Sequence, residues 1–336
     1  MPGPGPEPPH AHRLGPHVVG QRVVVRRVLR GQTGPSGGPA MSDVLGVMES
    51  WSAEVACVRD ESGRLSTIPI ADIVAGKPVP PRPSVRHRVS AEEAELRANS
   101  SWPALETEAL GRWLLRAAGG YSSRANSVLA VGDPGVGFAE AVAVVRHFYE
   151  SRDLPSWAQV VVGSDVHREF EVAGWQYARP GEGDTSFQVA SVAQVARATA
   201  REMPVDAPPV QLSPTVTAEW IATDDRAMSH GQTARDVLDG PEQVCFAVAP
   251  GAGSVVAAGR ATLADDWVGI SNVWVAPELR GRRLSVVVVR AMVGWAAERG
   301  ASTAYLQVRG DNVAAVASYA RLGFLPHHTY RYLTPS

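Results

Sequence analysis

Lysine is nearly missing from this chain: Lys77 is the one example among 32 basic residues, so arginine carries almost all the positive charge. A high-GC genome accounts for that bias without invoking function. Cysteine is scarce too. Cys57 and Cys245 stand far apart in sequence and are read as reduced, buried small hydrophobes, which excludes a disulfide scaffold and points to a cytoplasmic setting. No run approaches the roughly 20 apolar residues of a membrane helix. A net charge of −2 offers no global attraction to nucleic acid or an acidic membrane. The first residues hold Pro, Gly and His without an apolar core, which argues against a signal peptide and for a disordered tail over 1–16. What remains is an ordinary globular composition, 45% hydrophobic, and at 336 residues the length suits two or three domains.

Short β-type runs follow the tail: Val18–Leu29, Asp43–Ser50, Ala53–Arg59 and Arg64–Ile70, separated by a loop at Gly31–Gly38 and a turn at 60–63. This pattern predicts a small β-barrel, closing at a stiff proline linker over Lys77–Pro83. Arg22, Arg26, Arg27 and Arg30 lie on it without interleaved aromatics, so a solvated face is preferred to a nucleic-acid surface. Residues 91–118 read as helical through Leu96, Leu105, Leu110, Trp113 and Leu114.

An internal repeat comes next. Strand 127–131, helix 138–151, strand 157–162, helix 165–172 and Gly174-Trp175 match strand 271–275, helix 284–299, strand 303–308, helix 312–322 and Gly323-Phe324, at an offset of about 149 residues. The copies differ where chemistry would sit. Phe170 falls under Tyr319, and Val131-Gly132-Asp133-Pro134 falls under the basic loop Arg280-Gly281-Arg282-Arg283. The first copy therefore reads as kept for packing, although Gly132, Gly135 and Gly137 before a helix could still take a phosphate.

The second copy holds the candidate site. Strand Val273-Trp274-Val275 ends at Pro277, and the glycine–arginine loop 280–283 opens a helix at Leu284-Ser285. Unpaired N–H groups, the positive end of the helix dipole and full charges beside it make an anion site. The Asp311-Asn312 pair can cap the next helix, and Asn312 and Tyr319, seven residues apart, share a face.

Together these residues resemble the GCN5-related N-acetyltransferase superfamily. The strand end Val275-Ala276-Pro277, the loop Arg280-Gly281-Arg282-Arg283-Leu284-Ser285, and Asn312, Ala315, Tyr319 and Gly323-Phe324 stand where that family has its Val-x-Pro, its Gln/Arg-x-x-Gly-x-Gly/Ala loop and its late Asn, Ala, Tyr and Gly-Phe. The resemblance implies an α/β (α+β) fold, a mixed central sheet flanked by helices. It implies acetyl-CoA as cosubstrate and no metal, with the loop amides on the pyrophosphate and strand 273–275 pairing with the pantetheine arm. Tyr319 would protonate the departing thiolate. Arg283 replaces the family's second glycine and Ser285 its last small residue; a helix-type backbone at 283 tolerates a side chain. The longer layout resembles a bacterial histone-acetyltransferase-like subgroup with an SH3-like barrel: barrel 17–83, degenerate copy 84–205, catalytic copy 206–336, as monomer or homodimer.

The acceptor amine must attack neutral. Deprotonating a lysine near pKa 10.4 costs about 4.6 kcal/mol at pH 7, an α-amine near 7.8 about 1 kcal/mol. Lysine-acetylating relatives carry a glutamate eleven residues before the loop's first Gln/Arg, and Gly269 stands there. A water-relayed proton path, with a small or α-amino acceptor somewhat ahead of protein lysine, fits that gap. Asp265 and Asp266 read as a hairpin turn, and His230 as exposed or cleft-bordering. His327 and His328 either line the cleft or cap the sheet. Neither cysteine lies in the loop or strand pair, which disfavours an acyl-enzyme. The alternative is a non-catalytic CoA-sensing or protein-docking module.

Overall fold

The computed structural model describes residues 14–34, 37–60, 63–79, 85–251 and 253–336. The expected tail through residue 13, residues 35–36 of the first loop, 61–62 of the turn and 80–83 of the linker lie outside the described residues. The chain divides into two compact units, Met1–Pro83 and Ser84–Ser336.

In the smaller unit β1 (Arg22–Thr33), β2 (Pro39–Trp51), β3 (Val55–Arg59), β4 (Leu65–Pro69) and β5 (Ile73–Pro78) form an antiparallel sheet in the order β4-β3-β2-β1-β5. Alternation sets its buried face: Val23, Val25, Met48, Ala56, Val58 and Ile68 are inside. Leu14 and Val18 complete that core, so ordered packing begins ahead of Pro16. Arg26 pairs with Asp43 at 2.8 Å and Arg30 with Asp72 at 2.7 Å. These exposed pairs are worth at most about 1 kcal/mol each. They do mean that Arg26 and Arg30 are matched within the small unit itself.

The larger unit opens with α1 (Ala91–Asn99), β6 (Glu106–Leu110), β7 (Trp113–Ala117), β8 (Val128–Leu129), α2 (Phe138–Glu150), β9 (Ala158–Val161), α3 (Asp165–Val172), β10 (Trp175–Tyr177), β11 (Thr185–Ser191) and α4 (Val192–Glu202). It continues with β12 (Gln211–Ser213), α5 (Ala218–Ile221), α6 (Asp225–Asp239), β13 (Val244–Pro250), β14 (Val255–Ala264), β15 (Trp267–Val275), α7 (Leu284–Ala297), β16 (Thr303–Arg309), α8 (Val313–Arg321) and β17 (Leu325–Pro335).

The helix expected over 91–118 stops at Asn99, and the rest is the β6–β7 hairpin. Pro103 cannot donate to a helix ladder, and Gly111, at φ 56°, makes the turn. Trp113, Leu115 and Ala117 then enter the core at two-residue steps. The repeat itself is present. The parallel pair β8–β9 is followed by α3, and the parallel pair β15–β16 by α8.

The two copies exchange strands. β11 of the first half pairs antiparallel with β16 of the second, and β17 of the second pairs with both β11 and β9. One mixed sheet of twelve strands therefore runs through residues 84–336, in the order β12-β13-β14-β15-β16-β11-β17-β9-β8-β7-β6, with β10 on β17. Buried polar groups tie the halves together. Arg260 donates to the carbonyl oxygens of Leu238 (2.8 Å) and Ser101 (3.0 Å). Glu95 accepts from Gln159 (2.8 Å) and meets His328 Nε2 (2.8 Å). An unpaired buried charge costs several kcal/mol, so these partners strongly favour this one arrangement of the halves.

Helix α7 is packed on nearly every side: Val286, Val287, Val288, Val289, Met292, Val293 and Ala296 are buried, with α4 of the first half packed against it. Burial all round explains why its valine run, weak in helix propensity, still forms a helix.

Candidate active site

The centre of the site is a fault in β15. Its pairing with β16 runs from Trp267–Thr303 to Ile270–Leu306 and ends there. Opposite, the register with β14 shifts between Ala258 and Arg260, so that Asn272 and Val273 face the single Gly259. This is a β-bulge, and Asn272 carries its positive φ of 49°. Asparagine tolerates that conformation better than a branched residue. Asn272 Nδ2 donates to Asp224 Oδ2 at 2.8 Å, which pins the bulge to the start of α6. Trp220 Nε1 donates to the Gly259 carbonyl at 2.8 Å, so the interrupted ladder leaves that oxygen satisfied. Beyond Ile270 the edge of β15 that faced β16 has no strand partner among the described residues, and Val273, Trp274 and Val275 lie along it.

In the loop after β15, Leu279 N, Arg280 N and Arg282 N donate to Ala276 O, Pro277 O and Leu279 O, while Gly281 N and Arg283 N have no backbone acceptor among the described residues. Pro277–Leu279 form one 3-10 turn, Gly281 adopts φ 81°, and Arg283 caps α7 with no side-chain hydrogen bond. Leu284 and Ser285 are the first two residues of α7, where no intrahelical acceptor exists for their N–H groups. Arg280, Arg282 and Arg283 are exposed and form no ion pair among the described residues. Arg283 sits at φ 60°, ψ 19°, which is left-handed and not the helix-type backbone expected. For a residue with a Cβ that geometry costs about 1–2 kcal/mol.

Tyr319 is half-buried on α8, its ring edge-on to Phe324 at 5.8 Å, and burial pushes its hydroxyl up to about 12. The group is therefore a protonated hydroxyl at neutral pH. It borders the same apolar cluster as Val273, Val275 and Leu279, so strand end, loop and tyrosine share one core. Asn312 caps α8, its Oδ1 accepting from Ala315 N at 3.2 Å, which leaves its amide N–H₂ for another partner.

Gly269 has a steric explanation. A Cβ there would stand 2.5 Å from Tyr305 Oη, which is itself bonded to Ser101 Oγ. Any side chain at 269 collides with that buried tyrosine. Asp265 and Asp266 form the β14–β15 turn, and Asp266 accepts from Ser302. His327 and His328 bridge β17 to residues of the first half: His327 Nε2 meets Val89 O (2.9 Å) and His328 Nε2 meets Glu95. His230 is half-buried, edge-on to Tyr121 at 5.6 Å. Cys245 is buried, its thiol pushed up to about 12, which makes it a poor nucleophile.

A cleft of about 440 Å³ opens beside the bulge, lined by Asn272, Val273 and Trp274 of β15, by Asp224 and Asp225 at the start of α6, and by Trp102 and Tyr121. The last two belong to the first half and were not foreseen from sequence. Nothing in the spacing of Trp102 or Tyr121 announces a contact with residues more than a hundred positions away.

A splayed parallel pair, a bulged strand and an uncapped helix behind a basic loop define an acyltransferase of the GCN5-related N-acetyltransferase fold. The chain belongs to the family described as probable histone acetyltransferase Rv0428c C-terminal, whose model matches residues 90–333. A second model, Rv0428c N-terminal Sm-like domain, matches residues 17–77, so the small N-terminal sheet is matched by an Sm-like domain where an SH3-like barrel was expected. The chain is 28% identical over 330 residues to Mycobacterium tuberculosis "Probable histone acetyltransferase Rv0428c", covering 94% of this chain and 95% of that one. It is 28% identical over 239 residues to Bacillus subtilis "Uncharacterized N-acetyltransferase YobR", covering 70% and 95%. Among solved structures, a GCN5-related N-acetyltransferase from Kribbella flavida superposes with a TM-score of 0.51 at 16% identity, over 73% of this chain and 95% of that one, which shows the fold alone.

Proposed function

We propose that the chain transfers an acetyl group from acetyl-CoA directly to a primary amine, through a ternary complex and without an acyl-enzyme. The exposed loop ahead of α7, with three arginines in no ion pair among the described residues and no capping side chain, is the observation that carries this reading. The N–H groups of Gly281, Arg283, Leu284 and Ser285 would clasp the diphosphate, with Arg280 and Arg282 adding charge. The free edge of Val273-Trp274-Val275 would pair with the pantetheine amides, placing the thioester where β15 and β16 part. Asn312 would add its N–H₂ on the cofactor side. Tyr319, uncharged at neutral pH, would give its proton to the sulfur as the C–S bond breaks, while the amine nitrogen forms the new bond to the carbonyl carbon.

No carboxylate can replace Gly269 while Tyr305 fills that space, so the amine proton would leave through water in the cleft. An acceptor that is largely neutral already suits such a site, which favours a small or α-amino acceptor over lysine despite the histone label of the Mycobacterium tuberculosis relative. In this reading residues 206–336 carry the cofactor, 84–205 are a copy without cofactor chemistry, and 17–83 are an appended barrel. Calorimetry of the purified chain with acetyl-CoA tests the first step, and thiol release with a panel of α-amines, small amines and lysine peptides tests the second. Micromolar uptake and turnover on the smaller amines are the expected outcome. No uptake ends the proposal, and activity on lysine peptides alone reverses the acceptor preference.

A further inference from the structure

The first half of the larger unit supplies a wall of the cleft beside the bulge, and that wall has its own chemistry. Tyr121 is 1% exposed, yet its hydroxyl has no hydrogen-bond partner among the described residues, and it lines the cleft. The ring is buried while the hydroxyl oxygen is not sealed away, so it is open to a hydrogen-bond partner in the cleft. Burial first, and the Asp224 carboxylate second, raise its pKa, so the group stays protonated. Trp102, the neighbouring wall, is held rigid by Arg260 and Arg124 over its ring at 4.9 and 5.3 Å. Across the cleft stand two carboxylates. Asp224 is engaged, capping Ala227 N at 3.0 Å and accepting from Asn272. Asp225 is exposed and has no ion pair or hydrogen bond among the described residues. Arg226 lines the same space and Arg260 and Arg124 lie against Trp102, so the specific feature of this wall is Asp225, a lining carboxylate with no charged partner among the described residues.

Carboxylates beside the reacting nitrogen would hold it as ammonium and slow its attack. They help only where the acceptor brings a second positive charge that does not react. A cleft of about 440 Å³ is the size of a small-molecule site rather than an extended peptide groove. Resting on the acetyl-transfer reading above, we infer that the acceptor is a small amine carrying a second cationic group, which is held by Tyr121 Oη and Asp225 while the first amine faces the parting of β15 and β16.

Spermidine, butylamine and a lysine peptide are the probes, titrated by calorimetry into the chain saturated with CoA at 0.15 M salt. Spermidine should bind at least tenfold more tightly than butylamine. Asp225→Asn and Tyr121→Phe should each weaken spermidine about tenfold, the worth of one charge-assisted hydrogen bond, and leave butylamine where it was. Asp224 is not substituted because it caps α6. Spermidine that binds no better than butylamine, binding unaltered in both variants, or a preference for the peptide overturns the inference while acetyl-CoA uptake still stands. A chain that takes up neither CoA nor acetyl-CoA overturns the parent reading as well.

Discussion

The two copies place the same loop in opposite states. Ahead of α2, residues 132–135 are covered by the β6–β7 turn. Arg112 N donates to Asp133 O at 2.8 Å, Trp113 Nε1 donates to Gly132 O at 3.0 Å, and a Cβ on Gly111 would stand 2.3 Å from Pro134. Ahead of α7, the equivalent loop is exposed, and its arginines form no ion pair among the described residues. The aromatic beneath each loop follows suit. Phe170 is fully buried, stacked on Trp113 at 5.5 Å and edge-on to Trp175 at 4.7 Å. Among the described residues Tyr319 has one aromatic neighbour, Phe324, and its hydroxyl has no hydrogen-bond partner. The loop is packed over in one copy and exposed in the other, the arrangement that the proposed division of support from chemistry would require. The cleft beside the bulge qualifies that division, because the supporting copy still contributes Trp102 and Tyr121 to it.

Exchanging the two aromatics should break the comparison most sharply. Tyr319→Phe removes the proposed acid and should lower kcat about a hundredfold, within the usual range for general acid catalysis, with little change in acetyl-CoA affinity. Phe170→Tyr should leave turnover per folded molecule unchanged. It should cost about 1–3 kcal/mol of stability, because the new hydroxyl is buried without a partner. Steady-state rates and denaturant melts on both variants read the two effects separately. Equal kcat for Tyr319→Phe and wild type would remove the acid role. The acid also sets an alkaline limit. With a folded pKa near 12 against about 10 unfolded, the tyrosine's contribution to stability is complete below pH 10 and is lost as pH rises toward 12.

A smaller effect isolates the loop itself. Ser285 is the second residue of α7, where proline is accepted because its N–H has no helical acceptor. Ser285→Pro should therefore fold normally and remove one diphosphate donor. Acetyl-CoA should bind about tenfold more weakly, as befits the loss of one hydrogen bond to a charged group. Proline at the matching place in the first copy, Ala139→Pro, should change affinity not at all. Calorimetry on the pair decides whether the open loop, and not merely any helix start, is the binding element.

Much of this was legible in the chain. The repeat, the parallel pairs and the cap at Asn312 follow from local patterns: two-residue alternation, helical spacing, and a polar residue before an apolar run. What was not legible is whatever depends on pairing at long range. The exchange of β11 and β17 leaves no local mark, since each strand alternates the same way whichever neighbour it takes. The hairpin at 106–117 was hidden because Leu110, Trp113 and Leu114 satisfy a helical period as well as a turn. The turn at Gly111, with its positive φ, and the two-residue burial steps after it separate the two readings. Gly269 reads in sequence as a missing base. Its cause is Tyr305, on the adjacent strand and 36 residues away.

The smallest effect sharpens the comparison at Arg283. Its left-handed backbone is glycine's territory, and the first copy meets the same need with Gly132 and Gly135, at φ 72° and 75°. Arginine at 283 accepts a cost of about 1–2 kcal/mol, which stability alone would remove. If the side chain is retained for a phosphate, Arg283→Gly should raise stability by about 1 kcal/mol and weaken acetyl-CoA two- to fivefold, an effect that shrinks as salt is raised. Thermal melts of the free chain and calorimetry at 0.05 and 0.3 M salt measure the two sides. A variant both more stable and equally tight would mean that the arginine has no part in cofactor binding, and that Arg280 and Arg282 alone distinguish this loop electrostatically from its closed counterpart.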